Sequence, residues 1–316
     1  MKPTFGFDKI AVVPDVISDV EKVTATRVIC GKERKPFFSR PSDTLCKIEN
    51  AQNLIDCGIT PVLSDSSFNG KITLEEKLNI AEDMFVELTK EEACDLAEYE
   101  MPPQMNKKYL YLDFGIGYHR NFVDICKDLK ERFGDYIEIM GGSLCSPSIY
   151  RKLDIKKYGI TWVRVGKEGS YGIASLISDM VDESDNAVNV LPYIVADYDV
   201  DCVDNISKAF ALGSHAVMLS KLLSNTIDIN DDYGYSRSID AYYRGISYTP
   251  EEYRLIIEKM TPYRMLDEEV VEVKTDLTVY SLMGALDIKL KYDMMMCGAN
   301  SLTAYNNKKN IILIDS

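Results

Sequence analysis

The sequence predicts an α/β fold of the TIM-type (βα) barrel class, in a reduced or irregular form with seven recognisable strands. Three observations predict it. Short apolar runs start roughly 25 residues apart, the length of one βα unit. The segments between them carry apolar residues at helical spacing. The runs are apolar almost throughout, as parallel strands buried on both faces require.

Taken in order, residues 1–58 read as an N-terminal arm with a short hairpin or two, and 59–316 as the barrel domain. ITPVLSD (59–65) and MFVEL (84–88) read as the first two strands, with TLEEKLNIAED and KEEACDLAEYE as the helices after them. KYLYLDF ends on an acid and leads into RNFVDICKDLKERFG, where Phe122, Ile125, Cys126, Leu129 and Phe133 share a face and Gly134 suits the stop. YIEIMGG, a helix near 147–158, ITWVRVG, a helix over 172–180, VLPYIVAD, a helix over 202–212, and HAVMLS complete the run. The stretch EMPPQMNK (100–107) is too short for another unit, so the third βα unit reads as missing. Past Leu223 a polar segment (224–240) reads as a loop at one barrel end. A helix around 250–260, a strand-like VVEVK, a helix near 278–287 and a terminal IILI strand follow.

Composition narrows the partners. A net charge of −14 argues against nucleic acid or an anionic membrane surface, both polyanions. It leaves room for a small anion held by backbone amides. No apolar run reaches the roughly 18 residues that span a bilayer. The N-terminus lacks a signal peptide's apolar stretch, and eight scattered cysteines without a CxxC read as reduced thiols, so a cytoplasmic location is expected. With two histidines, His119 and His215, neither a His-rich metal site nor a Ser-His-Asp triad is expected.

In a βα barrel the chemistry sits where strands end, so the candidates are strand-end residues. GKEGS (166–170) before a helix offers either an anion site at a helix start or a plain turn with a serine cap. Asp197, Asp199, Asp201 and Asp204 resemble the start of a calcium loop, but Cys202 and Lys208 stand where glycine and glutamate are needed. Asp197 could instead grip sugar hydroxyls, and Asp201 or Asp204 could cap the next helix. Cys145 and Cys202 follow strand ends without a histidine nearby in sequence, and read as structural. Met294-Met295-Met296 reads as core.

These segments together resemble the IMP dehydrogenase/GMP reductase family, and the GMP reductase branch more closely. FGFDKIAVVPD is similar to its FxDVLLxP opening, and YLYLDFGIGYHRNFVDICKDLKERF to its LDxANGYSxxFVxxVKxxR segment. VADYDVDCVDNISKAFALGSHAVMLSKLL resembles SDGGxxxxGDVAKAxxxGAxxVMLGxxL. AYYRGIS resembles the YxGMS that precedes the family's active-site flap, within a flap-like segment (224–275 here), and MMMCGANSL resembles YCGAxxL. The resemblance implies a purine 5′-monophosphate site, with NADPH or NAD as cofactor if the activity survives, and a homo-oligomer. It places Asp197 at the ribose; Ser170, Tyr243 and Gly245 at the phosphate; and Ile246, Ser247 and Arg264 at the base. Asp267 takes the place of a catalytic glutamate, and Asp113, Gly115 and Gly117 lie near the cofactor.

The departures bear on activity. The family's loop with the nucleophilic cysteine is absent, because GKEGS runs directly into YGIASLISDM. Two phosphate-binding glycines become Tyr198 and Asp199, and a later Gly-Gly or Gly-Ser becomes Ser220-Lys221, whose lysine partly compensates. Without a thiolate there is no covalent adduct, and hydride transfer by that route loses its basis. The expectation is a divergent member, a pseudoenzyme acting through purine-nucleotide binding or oligomeric assembly. The alternative is an active oxidoreductase with Cys145 or Cys202 as a relocated nucleophile.

Overall fold

A computed structural model describes residues 4–14, 18–42, 45–68, 70–99, 106–113, 120–166, 172–224, 226, 228–229, 278–306 and 311–314. Its strands, in chain order, are β1 (Ile10–Val12), β2 (Arg27–Ile29), β3 (Lys32–Arg34), β4 (Phe37–Ser39), β5 (Val62–Leu63) and β6 (Phe85–Glu87). They continue with β7 (Lys108–Leu112), β8 (Ile137–Leu144), β9 (Ile160–Val165), β10 (Tyr193–Ala196), β11 (Ala216–Leu219) and β12 (Ile311–Leu313). Eight of these form one sheet in the order β4-β11-β10-β9-β8-β7-β6-β5. Every neighbouring pair in it is parallel. A parallel bridge between Phe38 and Thr60 brings its two ends together. At that seam the Thr60 N–H donates to the Phe37 carbonyl at 2.9 Å and the Ser39 N–H to the Thr60 carbonyl at 3.1 Å. The sheet is thus a nearly closed TIM-type barrel.

The expected count of seven strands is corrected to eight. The strand that sequence reasoning lost is the first, not the third, and it lies inside the segment read as an N-terminal arm. The reason is physical. Phe37–Ser39 is three residues long and follows the charged run GKERKP, so no extended apolar stretch marks it. The arm also holds the expected hairpin, β2 with β3, turning through Cys30 and Gly31, both at positive φ (50° and 69°). Two such residues make the turn that matches strand twist. This hairpin sends Ile29 and Cys30 into the apolar filling of the barrel with Phe38, Val62, Phe85, Tyr109, Tyr111, Met140, Trp162, Val195, Ala216 and Met218. Phe38 stands edge-on to Trp162 (5.2 Å between ring centres) and Phe85 (5.8 Å), the favoured arrangement for ring quadrupoles.

The helices wrap the outside. In the helix Arg120–Phe133 all five residues expected on the inner face are buried, and Gly134 past its end has φ 57°. The helices Leu74–Ile80 and Lys90–Glu98 begin with reciprocal caps, Thr73 with Glu76 and Thr89 with Glu92. The helix expected near 147–158 is two short ones, Pro147–Tyr150 and Ile155–Tyr158. The last long helix runs over Val279–Met296, well past 287, and buries Met294. β12 pairs antiparallel with β1 and ties the two ends of the chain together. The helix expected at 250–260 and the VVEVK strand lie outside the described residues. Among those described, no helix is long and apolar enough to cross a membrane.

Candidate functional site

Side chains on a strand alternate between its two faces, so a residue two places after an interior one also points inward. That rule builds the mouth of this barrel. Phe38, Phe85, Tyr111, Trp162 and Val195 fill the interior. Two residues on, toward the strands' C-terminal ends, stand Arg40, Glu87, Asp113, Arg164 and Asp197. An apolar plug is therefore topped by a layer of charge, at the end where barrels of this class hold their sites.

Arg164 organises the layer. Its Nη2 and Nε donate to Asp197 Oδ2 at 2.5 and 3.0 Å, and its Nη1 to Asp113 Oδ2 at 3.0 Å. Nη1 also donates to the Tyr111 hydroxyl, which donates in turn to Asp113 Oδ2 at 2.6 Å. Asp197 is deeply buried, its side chain 2% exposed. Burial pushes its carboxyl up, against the pull of the Arg164 and Arg40 charges. Its other oxygen, Oδ1, is buried and accepts no hydrogen bond among the described residues. Arg40 faces that oxygen, with its Nε 3.9 Å away. Glu87 accepts the Asp65 N–H at 2.9 Å, and burial raises its carboxyl too.

Beyond β10 and β11 the mouth is acidic. Asp199 has φ 58°, and its carboxyl is raised by burial and then by Asp201 and Asp8. Lys221, expected to compensate for lost phosphate amides, instead holds Asp201 at 2.6 Å. Neither Asp201 nor Asp204 caps the helix Val203–Leu212. Cys202 stands at that position, and Asp204 lies in the first turn. Burial raises the Cys202 thiol, which leaves less of the nucleophilic thiolate. Cys145 is half-buried, directly after β8.

The helix start after GKEGS is also engaged. The helix Ile173–Asp185 begins after Gly172, so glycine rather than serine is its cap. The Ser175 N–H donates to the Phe5 carbonyl at 3.1 Å, and the Phe5 N–H to Ser175 Oγ at 2.7 Å. The protein's own N-terminal segment thereby satisfies an amide that an anion would otherwise use.

Of the residues singled out from sequence, the structure joins Asp113 and Asp197 through Arg164. Asp113, expected near a cofactor, is committed to Arg164 and Tyr111. Ser170, Tyr243, Gly245, Ile246, Ser247, Arg264, Asp267, Gly115 and Gly117 lie outside the described residues, as does His119. Arg40, Glu87 and Arg164 were missed. Their signal is a charge standing two places after an aromatic within a strand-like run: FFSR, MFVE, TWVR. Among the described residues no cluster of His, Cys, Asp or Glu is placed to hold a metal.

An eight-stranded parallel barrel with a charged C-terminal mouth defines the class of this protein as a TIM-type barrel. No protein-family model matches the chain. Curated relatives do: GMP reductase 2 of Bos taurus is 29% identical over 125 residues, which are 37% of this chain and 35% of that protein. GMP reductase 2 of Homo sapiens is 29% identical over 133 residues, 40% of this chain and 37% of that protein. The chain thus covers little more than a third of the length of these relatives. Among solved structures, an inosine 5′ monophosphate dehydrogenase from Legionella pneumophila shares the fold at a TM-score of 0.68 and 17% identity, covering 99% of both chains. Together the sequence matches and the shared barrel support a family relationship with the IMP dehydrogenases and GMP reductases.

Proposed function

We propose that this barrel binds a purine 5′-monophosphate at its C-terminal mouth and does not carry out a nicotinamide-dependent redox reaction. The observation that carries the binding half is Asp197 Oδ1, a buried acceptor without a donor among the described residues, set where strands end. A buried acceptor left unpaired costs about 1–3 kcal/mol, so a ligand hydroxyl donating there is favoured. The relatives' names supply the purine nucleotide class. The missing activity rests on the seven residues 166–172 between β9 and the next helix, which contain no cysteine. The raised Cys202 thiol supports it further.

The test is thermal melting of the full chain with IMP, GMP and NADPH, alongside absorbance at the nicotinamide band. A ligand at a hundred times its Kd stabilises by about 2.7 kcal/mol, which a melting curve resolves. A rise in Tm with a nucleotide and a flat absorbance trace are expected. No shift with either nucleotide would refute binding. Turnover that disappears in Cys145→Ala would establish the second reading, an active oxidoreductase, which the position of Cys145 directly after β8 favours. Self-association belongs to the same proposal and is supported by exposed Val13, Ile312, Leu313 and Ile314 at the β1–β12 ribbon; sedimentation analysis tests it.

A further inference from the structure

Arg40 and Asp197 meet at the mouth without a hydrogen bond between them. Arg40 follows β4, and its backbone is held by its N–H donating to the Leu219 carbonyl at 2.9 Å. Its side chain is 46% exposed, and among the described residues its guanidinium makes no hydrogen bond. The neighbouring cations are spent. Arg164 is shared by two carboxylates, and Lys221 holds Asp201. The acids Asp199 and Asp201 make the β10–β11 side unfavourable for an anion. Among the described residues the charge at the mouth is therefore uneven, with Arg40, paired with Asp197 only at 3.9 Å, on the β4 side beside a buried acceptor that lacks a donor.

A guanidinium binds phosphate through two parallel N–H donors, and a carboxylate oxygen accepts from a hydroxyl. A ligand satisfying both groups at once carries a hydroxyl and an anionic group close together. Building on the nucleotide-binding proposal, we infer that Arg40 is a specificity-determining residue. It selects nucleotides with a phosphate on the sugar, beside the hydroxyl that donates to Asp197 Oδ1, over those phosphorylated at the 5′ position alone.

The test is calorimetric titration of the full chain with guanosine 5′-monophosphate and guanosine 3′,5′-bisphosphate, in the wild type and Arg40→Ala. The wild type is expected to bind the bisphosphate at least tenfold more tightly. Arg40→Ala is expected to bring the two within about twofold, chiefly through loss of bisphosphate affinity. Arg40→Gln, closer in size, repeats the comparison should the alanine variant melt at a lower temperature. Equal affinities in the wild type overturn the inference and leave nucleotide binding standing, with Arg40 serving only to screen Asp197. A preference that survives both substitutions overturns it as well, because another cation then reads the second phosphate. Binding of neither nucleotide overturns both this inference and the proposed function.

Discussion

Replacing Arg164 by methionine tests the charged layer most directly. Its guanidinium is nearly inaccessible and faces the carboxylates of Asp197 and Asp113. Removing one partner of a buried pair costs about 3–5 kcal/mol, because the charge left behind is neither hydrated nor matched. The cost depends on pH in a direction that can be worked out. Burial already raises the folded-state Asp197 carboxyl, and Arg164 is the foremost group opposing that rise. Without it the folded carboxyl climbs further above its unfolded value. The unfolded chain then releases its proton first as pH rises, so stability drops through the window between the two values. The loss is about 1.4 kcal/mol for each pH unit in that window. Arg164→Met is therefore expected to lose less at pH 5 than at pH 8. Trp162, the single tryptophan, is buried in the barrel two residues away and reports unfolding by fluorescence in urea. A loss under about 1 kcal/mol at pH 8, with no dependence on pH, would refute the view that this ion pair holds the mouth together.

Three further outcomes follow from the packing. Burial pushes the His215 imidazole down to about 3, and its Nδ1 accepts the Ile194 N–H at 3.2 Å. The folded protein keeps it neutral while the unfolded chain protonates, so stability falls as pH drops below about 6.5, by about 1.4 kcal/mol per unit. Urea midpoints between pH 6.5 and 5 should show this slope in the wild type and a shallower one in His215→Leu. A side chain at Gly172 would place its Cβ 2.5 Å from the Phe5 carbonyl oxygen. Gly172→Val should push the N-terminal segment off the helix start at a cost of about 1–3 kcal/mol, with faster amide exchange at Phe5 and Ser175. Phe38→Ala empties the space between Phe85 and Trp162 and should cost about 3–5 kcal/mol, with a changed Trp162 emission spectrum. Wild-type emission and stability in that variant would mean that the barrel interior tolerates the void.

Most of the barrel was legible because parallel strands buried on both faces write themselves as apolar runs. KYLYL and ITWVRV need no tertiary context to be recognised. Phe37–Ser39 was not legible, since three residues carry no periodicity and its pairing with β11 joins parts of the chain far apart in sequence. The site was half legible. Asp197 and Asp113 end strands and attract notice as acids after apolar runs. Their link, Arg164, stands inside a run, where a lone charge passes for an interruption. Only the inward parity it shares with Trp162 shows its direction, and only the fold shows that two acids from other strands meet it. Helix starts misled for a related reason. Sequence supplied a serine at GKEGS, but the segment that satisfies the Ser175 amide comes from the far end of the chain, at Phe5.

The pairing of β4 with β11 has a consequence for how the molecule comes into being on the ribosome. Phe37 lies opposite Val217, so a strand made early waits for one of the last barrel strands before its second flank is covered. Until then the growing chain is an open sheet with two bare edges, and each bare edge is a template for pairing with another chain. The thin seam at Thr60 guards one side of β4 during this interval, and the other side stays unguarded until Ala216–Leu219 emerges. A chain cut before that point has lost more than one strand, because it keeps both edges open permanently.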